Sequence, residues 1–171
     1  AGEAFDKVAR TLGLPYPGGP SVANAAKTGD PKAYRLPVPH VEGKYNVSFS
    51  GLKTAAINLI HNAGQKGEPL VVEALCADFS AAVSDTLVPR AMEAARRCGR
   101  TTLVAAGGVA ANKRIRGDLE RACRENGLKL YLPPLSLCGD NGAMIGSQAY
   151  YEYLAGNRAG MDLNAYANLE I

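Results

Sequence analysis

The sequence predicts an α/β protein, and three observations carry that prediction. Two short β-rich apolar runs, TTLVAA (101–106) and LKLYLP (128–133), bracket a stretch of helical periodicity at 111–125. A glycine pair, Gly107 and Gly108, closes the first run directly ahead of that helix. Further stretches repeat apolar residues every three or four positions, the spacing of one helical face. The chain's 171 residues suffice for one good-sized core, and 47% apolar with 20% charged residues is ordinary for a globular chain.

Taken in order, residues 3–12 place Phe5, Val8, Ala9 and Leu12 on one helical face, and Gly13 ends that helix. LPYPGGP (14–20) reads as a loop dense in chain breakers, and 21–28 as a short helix. KAYRLPVPHVEG (32–43) is expected to be extended, its prolines marking an edge. YNVSFS (45–50) alternates like a short strand, and GLKTAAINLIHNAG (51–64) is a helix turning Leu52, Ala56, Leu59 and Ile60 inward. The run from Val71 to Arg97 is strongly helical, with Leu75, Phe79, Ala82, Val83 and Leu87 as its stripe, and Pro89 is expected to kink or break it. After the strand at 101–106 come the helix at 111–125, ended by Gly127, the strand at 128–133 and a last helix near 141–155. The tail beyond Gly156 reads as irregular, a segment suited to covering an edge. With no repeats or linkers, the chain reads as one compact unit.

Several classes are excluded at this stage. No apolar run reaches the roughly 18 residues of a membrane span, and no signal-peptide pattern opens the chain. Cys76, Cys98, Cys123 and Cys138 are widely spaced with no CxxC pair. That spacing argues against a zinc ribbon or a disulfide framework and suits a reducing, cytoplasmic setting. A net charge of +3 permits an anionic partner without demanding one. The opening AGEAFDKVARTLGL lacks an initiator Met and is amphipathic almost at once, so a fragment with a missing upstream half is expected.

Four motifs carry possible chemistry. In AAGGVAANKRIR (105–116), a strand feeds two glycines and then a helix, a way of presenting backbone N–H groups to phosphate or ribose. A plain tight turn is the alternative, and Asn112 suits either a helix cap or a ligand. The G-x-G-x-x-G spacing of dinucleotide sites is absent. SFSGLKTA (48–55) lacks the contiguous Gly-Lys-Ser/Thr of a phosphate loop; Ser48, Ser50, Lys53 and Thr54 remain for a polar ligand, or Ser50 for a cap. In LCGDNGAM (137–144), Asp140 sits on a glycine-flanked turn, as a cap or as one hard oxygen ligand of a metal. Asp6 lies in a first helical turn, where acids are commonplace. His40 and His61 lack metal-pair spacing and read as surface or internally satisfied histidines. The basic cluster Lys113, Arg114, Arg116, Arg121 and Arg124 reads as a solvated helix face or as an attractor for a nucleic-acid backbone.

Together and in order, GEAFDKVARTLGLPYPGGP, SFSGLKTA, GGVAAN with its basic helix, and CGDNGAMIG resemble the C-terminal half of the TsaD family. These are the tRNA threonylcarbamoyladenosine synthases, formerly labelled O-sialoglycoprotein endopeptidase or Gcp. The resemblance implies one lobe of the two-lobed actin/Hsp70/sugar-kinase-like fold, with additional helices. It implies transfer of threonylcarbamoyl from threonylcarbamoyl-AMP to the exocyclic amine of the adenosine 3′ of the tRNA anticodon. It further implies that Asp6 binds the ribose hydroxyls, that Gly19 lies against the nucleoside, and that Gly107 and Gly108 approach the phosphate. Asn112 would hydrogen-bond the nucleotide, and Asp140 would ligate one divalent iron or zinc ion. Bacterial members would act with a paralogous TsaB-like subunit and a TsaE-like ATPase. The family's usual C-T-D-N-A-A-M is altered here by Gly139 and Gly142, and its His-x-x-x-His pair, which belongs to the N-terminal half, is absent. The chain alone is therefore expected to be inactive, with its metal site incomplete. Two other readings stand beside this one: a metal-dependent glycoprotein endopeptidase, for which no nucleophile–base pair is visible, and a non-catalytic nucleotide-binding scaffold.

Overall fold

The computed structural model describes residues 1–165. Two compact units are described in turn, Ala1–Gly139 and Asp140–Ile171.

The first unit is built around one helix. Helix α1 (Gly2–Thr11) buries Ala4, Phe5, Val8 and Ala9, the face expected from the spacing, and Gly13 follows its end with φ +71°. Helix α2 spans Gly18–Ala25 and continues as a 3₁₀ turn, Ala26–Thr28, so it starts inside the segment expected to be loop. Helix α3 (Ser50–Lys66) buries Leu52 and Ala56. Helix α4 (Val72–Arg97) runs through the middle, packed against α2 and α3. Every residue from Ala74 to Ser84 is buried, so the expected stripe widens to the whole circumference. Alanine, serine and cysteine at seven of those eleven positions let neighbours approach from all sides, which is how a helix sits inside a core. Phe79 meets Phe5 edge-to-face, ring centroids 5.2 Å apart.

Pro89 does not break α4. The helix continues to Arg97, and in the disturbed turn the Arg90 guanidinium donates to the Thr86 carbonyl at 3.0 Å.

Strand β1 (Thr102–Val104), helix α5 (Lys113–Glu125) and strand β2 (Lys129–Tyr131) follow. The strands pair in parallel, Thr102 with Lys129 and Val104 with Tyr131, and a 3₁₀ turn at Gly108–Ala111 joins β1 to α5. Helix α5 packs against α4 through Ile115 and Leu119.

Two expected extended segments form no strand. Residues 46–49 are irregular although Tyr45, Val47 and Phe49 alternate. A strand exists only where another edge completes its ladder, and among the described residues none lies alongside. In the 32–43 segment, the buried Asp78 carboxylate of α4 accepts hydrogen bonds from the Tyr34 and Leu36 amides, at 2.9 and 3.2 Å. These contacts hold Arg35 between them at φ +50°.

The second unit contains helix α6 (Gly142–Leu154), none of whose residues is buried, followed by irregular chain to residue 165. The remainder of the tail, 166–171, lies outside the described residues. No described helix is long and apolar enough to cross a membrane.

Candidate functional site

A cavity of about 560 Å³ opens within the first unit. Four separated stretches wall it: α1, the start of α2, the 108–112 turn, and the 135–139 loop. Its surface is mostly apolar, from residues such as Phe5, Pro20, Val109 and Leu135, with Asp6 and Asn112 as polar side chains. Apolar walls with a few placed polar groups are the usual composition of a small-molecule site.

Asp6 is not the solvated first-turn acid that its position alone suggests. It is half-buried, and its Oδ1 accepts the Gly18 amide at 2.9 Å. That amide is the first of α2, one of the donors a helix start leaves unsatisfied. The carboxylate thus caps a second helix from α1, and Oδ2 has no protein partner among the described residues. The approach is so close that a Cβ on Gly18 would lie 2.6 Å from the Asp6 Cα and 2.8 Å from Oδ1. The neighbouring Gly19 has open space where a Cβ would sit and lines the cavity. The glycine pair therefore divides its duties: Gly18 permits helix packing, and Gly19 faces the void.

The second glycine pair divides in the same way. Gly107 adopts φ +88°, ψ 171°, a backbone state closed to residues with a Cβ except at a cost of about 1–3 kcal/mol. It turns the chain out of β1. Gly108 has no atom within 4 Å of a built Cβ and lines the cavity. Asn112 caps α5, its Oδ1 accepting from the Arg114 amide at 3.0 Å and the Ile115 amide at 3.3 Å. This network assigns the amide orientation: the oxygen is committed to the helix, so Nδ2 is the group left to donate at the cavity wall. Cap and ligand contact, alternatives in the sequence, are compatible in one side chain.

The basic cluster divides too. Asp118 is buried, accepting from Ser84 Oγ of α4 at 2.7 Å, from Arg114 at 2.5 Å and from Arg121 at 2.5 Å. Burial pushes its carboxyl upward, but Ser84 and the two guanidinium groups outweigh this and hold it below the usual carboxylate range. Arg116 donates to the carbonyls of Ala110 at 2.9 Å and Pro133 at 3.0 Å. Lys113 and Arg124 are the exposed members without such contacts. Sequence pattern could not find these partnerships, because Ser84, Asp118 and Pro133 meet the arginines only through packing.

Other candidates fall away from the cavity. Ser50 makes no side-chain cap; its amide meets Ser48 Oγ at 3.4 Å instead, and Lys53 pairs with Glu3 at 3.4 Å. His40 and His61 are exposed, as expected, and no hydrogen bond links either to Ser48 or Ser50. Burial raises the Cys76 thiol, with help from Glu73, to about 11, and raises Cys123 as well, so neither is a ready thiolate. All four cysteines are free.

In the second unit, Asp140 is exposed and does not cap α6; Asn141 does, accepting from the Met144 amide at 3.0 Å. No group of three or more His, Cys, Asp or Glu side chains that could hold a metal ion occurs among the described residues. One exposed carboxylate is too small a donor set for iron or zinc, so these residues do not fit a metal site by themselves.

Comparison with known proteins matches residues 1–147 to a family described as TsaD, tRNA N6-adenosine threonylcarbamoyltransferase. A protein of that name from Symbiobacterium thermophilum is 47% identical over 99% of this chain and 49% of its own length. Those from Moorella thermoacetica and Bacillus subtilis are 46% and 45% identical over the whole chain and 50% of their own lengths. The chain spans about half the length of the curated relatives it matches. With the family matched over most of its residues, and relatives this similar along its whole length, the chain belongs to the TsaD family.

Proposed function

We propose that this chain is the C-terminal lobe of a tRNA threonylcarbamoyltransferase and that its cavity receives the adenylate half of threonylcarbamoyl-AMP. One observation carries the reading. Asp6, Gly19, Gly108 and Asn112, drawn from three separate stretches, line the same cavity. In this reading Asp6 Oδ2 accepts from the ribose hydroxyls while Oδ1 stays on α2. Gly19 and Gly108 let the nucleotide lie against backbone, Gly107 sets the turn, and Asn112 Nδ2 donates to the ligand. Phe5, Val109 and Leu135 supply apolar contact for the base. The tRNA amine then attacks the carbamoyl carbon, the bond from that carbon to the phosphate oxygen breaks, and AMP leaves as a stable anion. The chain contributes mainly by positioning. Asp140 is assigned as one metal ligand, and the other donors for iron or zinc would come from outside this chain; no step is routed through that ion. A TsaB-like subunit and a TsaE-like ATPase are the proposed bacterial partners, in the cytoplasm.

Calorimetric titration of the chain with AMP tests the cavity assignment. Asp6→Asn keeps an oxygen for the Gly18 amide but replaces the ribose acceptor, so affinity should fall about tenfold or more, the worth of a hydrogen bond to a charged group. Unchanged affinity in Asp6→Asn, or no binding by the wild-type chain, sinks the assignment. A scaffold that binds no nucleotide would give the second result.

A further inference from the structure

We infer that Arg116 is the positioning residue that holds two walls of the adenylate cavity together, a role that rests on the reading above. The walls are the 108–112 turn and the 135–139 loop, which Pro133 and Pro134 lead into from β2. The loop leaves β2 at Tyr131, and its hydrogen bonds at Leu137 and Cys138 are local, to Pro134 and Leu135. Local bonds shape a turn but do not place it against the body of the fold.

Arg116 supplies that placement. Its side chain reaches back along α5 from the second helical turn, and the guanidinium acts as a fork. Nη1 donates to the Ala110 carbonyl at 2.9 Å, and Nη2 to the Pro133 carbonyl at 3.0 Å. Nη1 also lies 3.8 Å from the Cys138 sulfur. Ala110 is buried between Val109 and Ala111, both cavity residues, and Cys138 is itself buried at the cavity wall. One half-buried cation therefore spans from the turn that carries Gly108 and Asn112 to the loop that carries Leu135 and Cys138. Two carbonyls in divergent directions suit the planar, multi-donor guanidinium; an ammonium on a flexible stem satisfies one and releases the other. The Arg114 side chain, one helical step away, faces Asp118 instead and reaches neither wall; only its backbone amide meets Asn112, and that amide remains in Arg114→Ala.

The test compares Arg116→Lys and Arg116→Ala with Arg114→Ala, a control that disturbs the same helix without touching the cavity. AMP affinity is measured by calorimetry, thermal stability without nucleotide, and amide exchange across 108–112 and 134–139. Arg116→Lys is expected to lose about tenfold in AMP affinity and to exchange faster in both walls, with a melting temperature no lower than that of Arg114→Ala, which keeps wild-type affinity. Arg116→Lys provides the measurement if Arg116→Ala does not fold. Wild-type affinity in Arg116→Lys overturns the positioning role alone. Equal loss in Arg114→Ala also overturns it, since affinity would then follow stability. Failure of the wild-type chain to bind AMP removes the adenylate reading and this role together.

Discussion

Helices α5 and α6 begin in nearly the same way, and they differ in how much they bury. Each is preceded by a glycine-rich turn, and each is capped by an asparagine whose side-chain oxygen accepts an amide two or three residues on. Asn112 then stands at a cavity wall, at the head of a helix tied to α4 by the Asp118 network. Asn141 heads a helix with no buried residue, on which Met144, Ile145, Tyr150, Tyr151, Tyr153 and Leu154 are all about half exposed or more. Identical cap chemistry therefore says where a helix starts and nothing about what it faces.

The largest way to break this comparison is to untie α5. Asp118→Ala leaves Ser84, Arg114 and Arg121 without their shared acceptor and should destabilise the first unit by about 2–3 kcal/mol, less than a fully enclosed ion pair because both arginines are half exposed. A denaturant melt measures it. The same carboxylate sets an acid limit. Its folded-state pKa is depressed, so its contribution is complete above the unfolded value near 4 and fades as pH falls through the lower folded value. Asp118→Asn should therefore flatten the loss of stability below about pH 4. An unchanged acid limb in that variant would show that other carboxylates govern it.

A smaller effect separates the paired glycines. Gly18→Ala drives a Cβ into the Asp6 backbone and should cost about 1–3 kcal/mol by overpacking. Gly19→Ala meets no protein atom, so stability should hold within about 0.5 kcal/mol while AMP affinity falls. Melting curves and titrations of the two variants should show opposite patterns; equal destabilisation would contradict the division of duties.

The smallest effect tests the caps directly. Asn112→Ala and Asn141→Ala should each cost about 1 kcal/mol, the usual worth of an N-cap. Only the first should also weaken AMP binding. Wild-type nucleotide affinity in Asn112→Ala would reduce Asn112 to its structural duty.

Much of this was legible in the residues. The inward faces of α1 and α3, both strands and the start of the last two helices follow from periodicity and from glycine and asparagine at the turns. Their causes are local, acting within a turn or two of the chain. The family also follows from sequence, because four ordered motifs together are far more specific than any one of them. The failures have a common cause. YNVSFS alternates like a strand but has no neighbouring edge among the described residues. Pro89 is expected to kink or break α4, and the helix is not broken there, its Ala74–Ser84 stretch being fully buried. The basic cluster reads as a solvated face or a nucleic-acid attractor, and neither reading anticipates that Arg114 and Arg121 serve a buried carboxylate or that Arg116 spans two loops.

What the sequence by itself determined, then, was which segments coil, which extend, where they turn, and to which family they belong. Only the tertiary structure decided that Asp6 caps a neighbouring helix, that Gly18 and Gly107 serve the backbone while Gly19 and Gly108 line a void, and that Arg116 ties two walls together. Apart from the local turn at Gly107, each of these depends on residues distant in the chain meeting within about 3 Å or leaving a space unfilled. Local spacing encodes the face a residue presents, and packing alone determines what meets it.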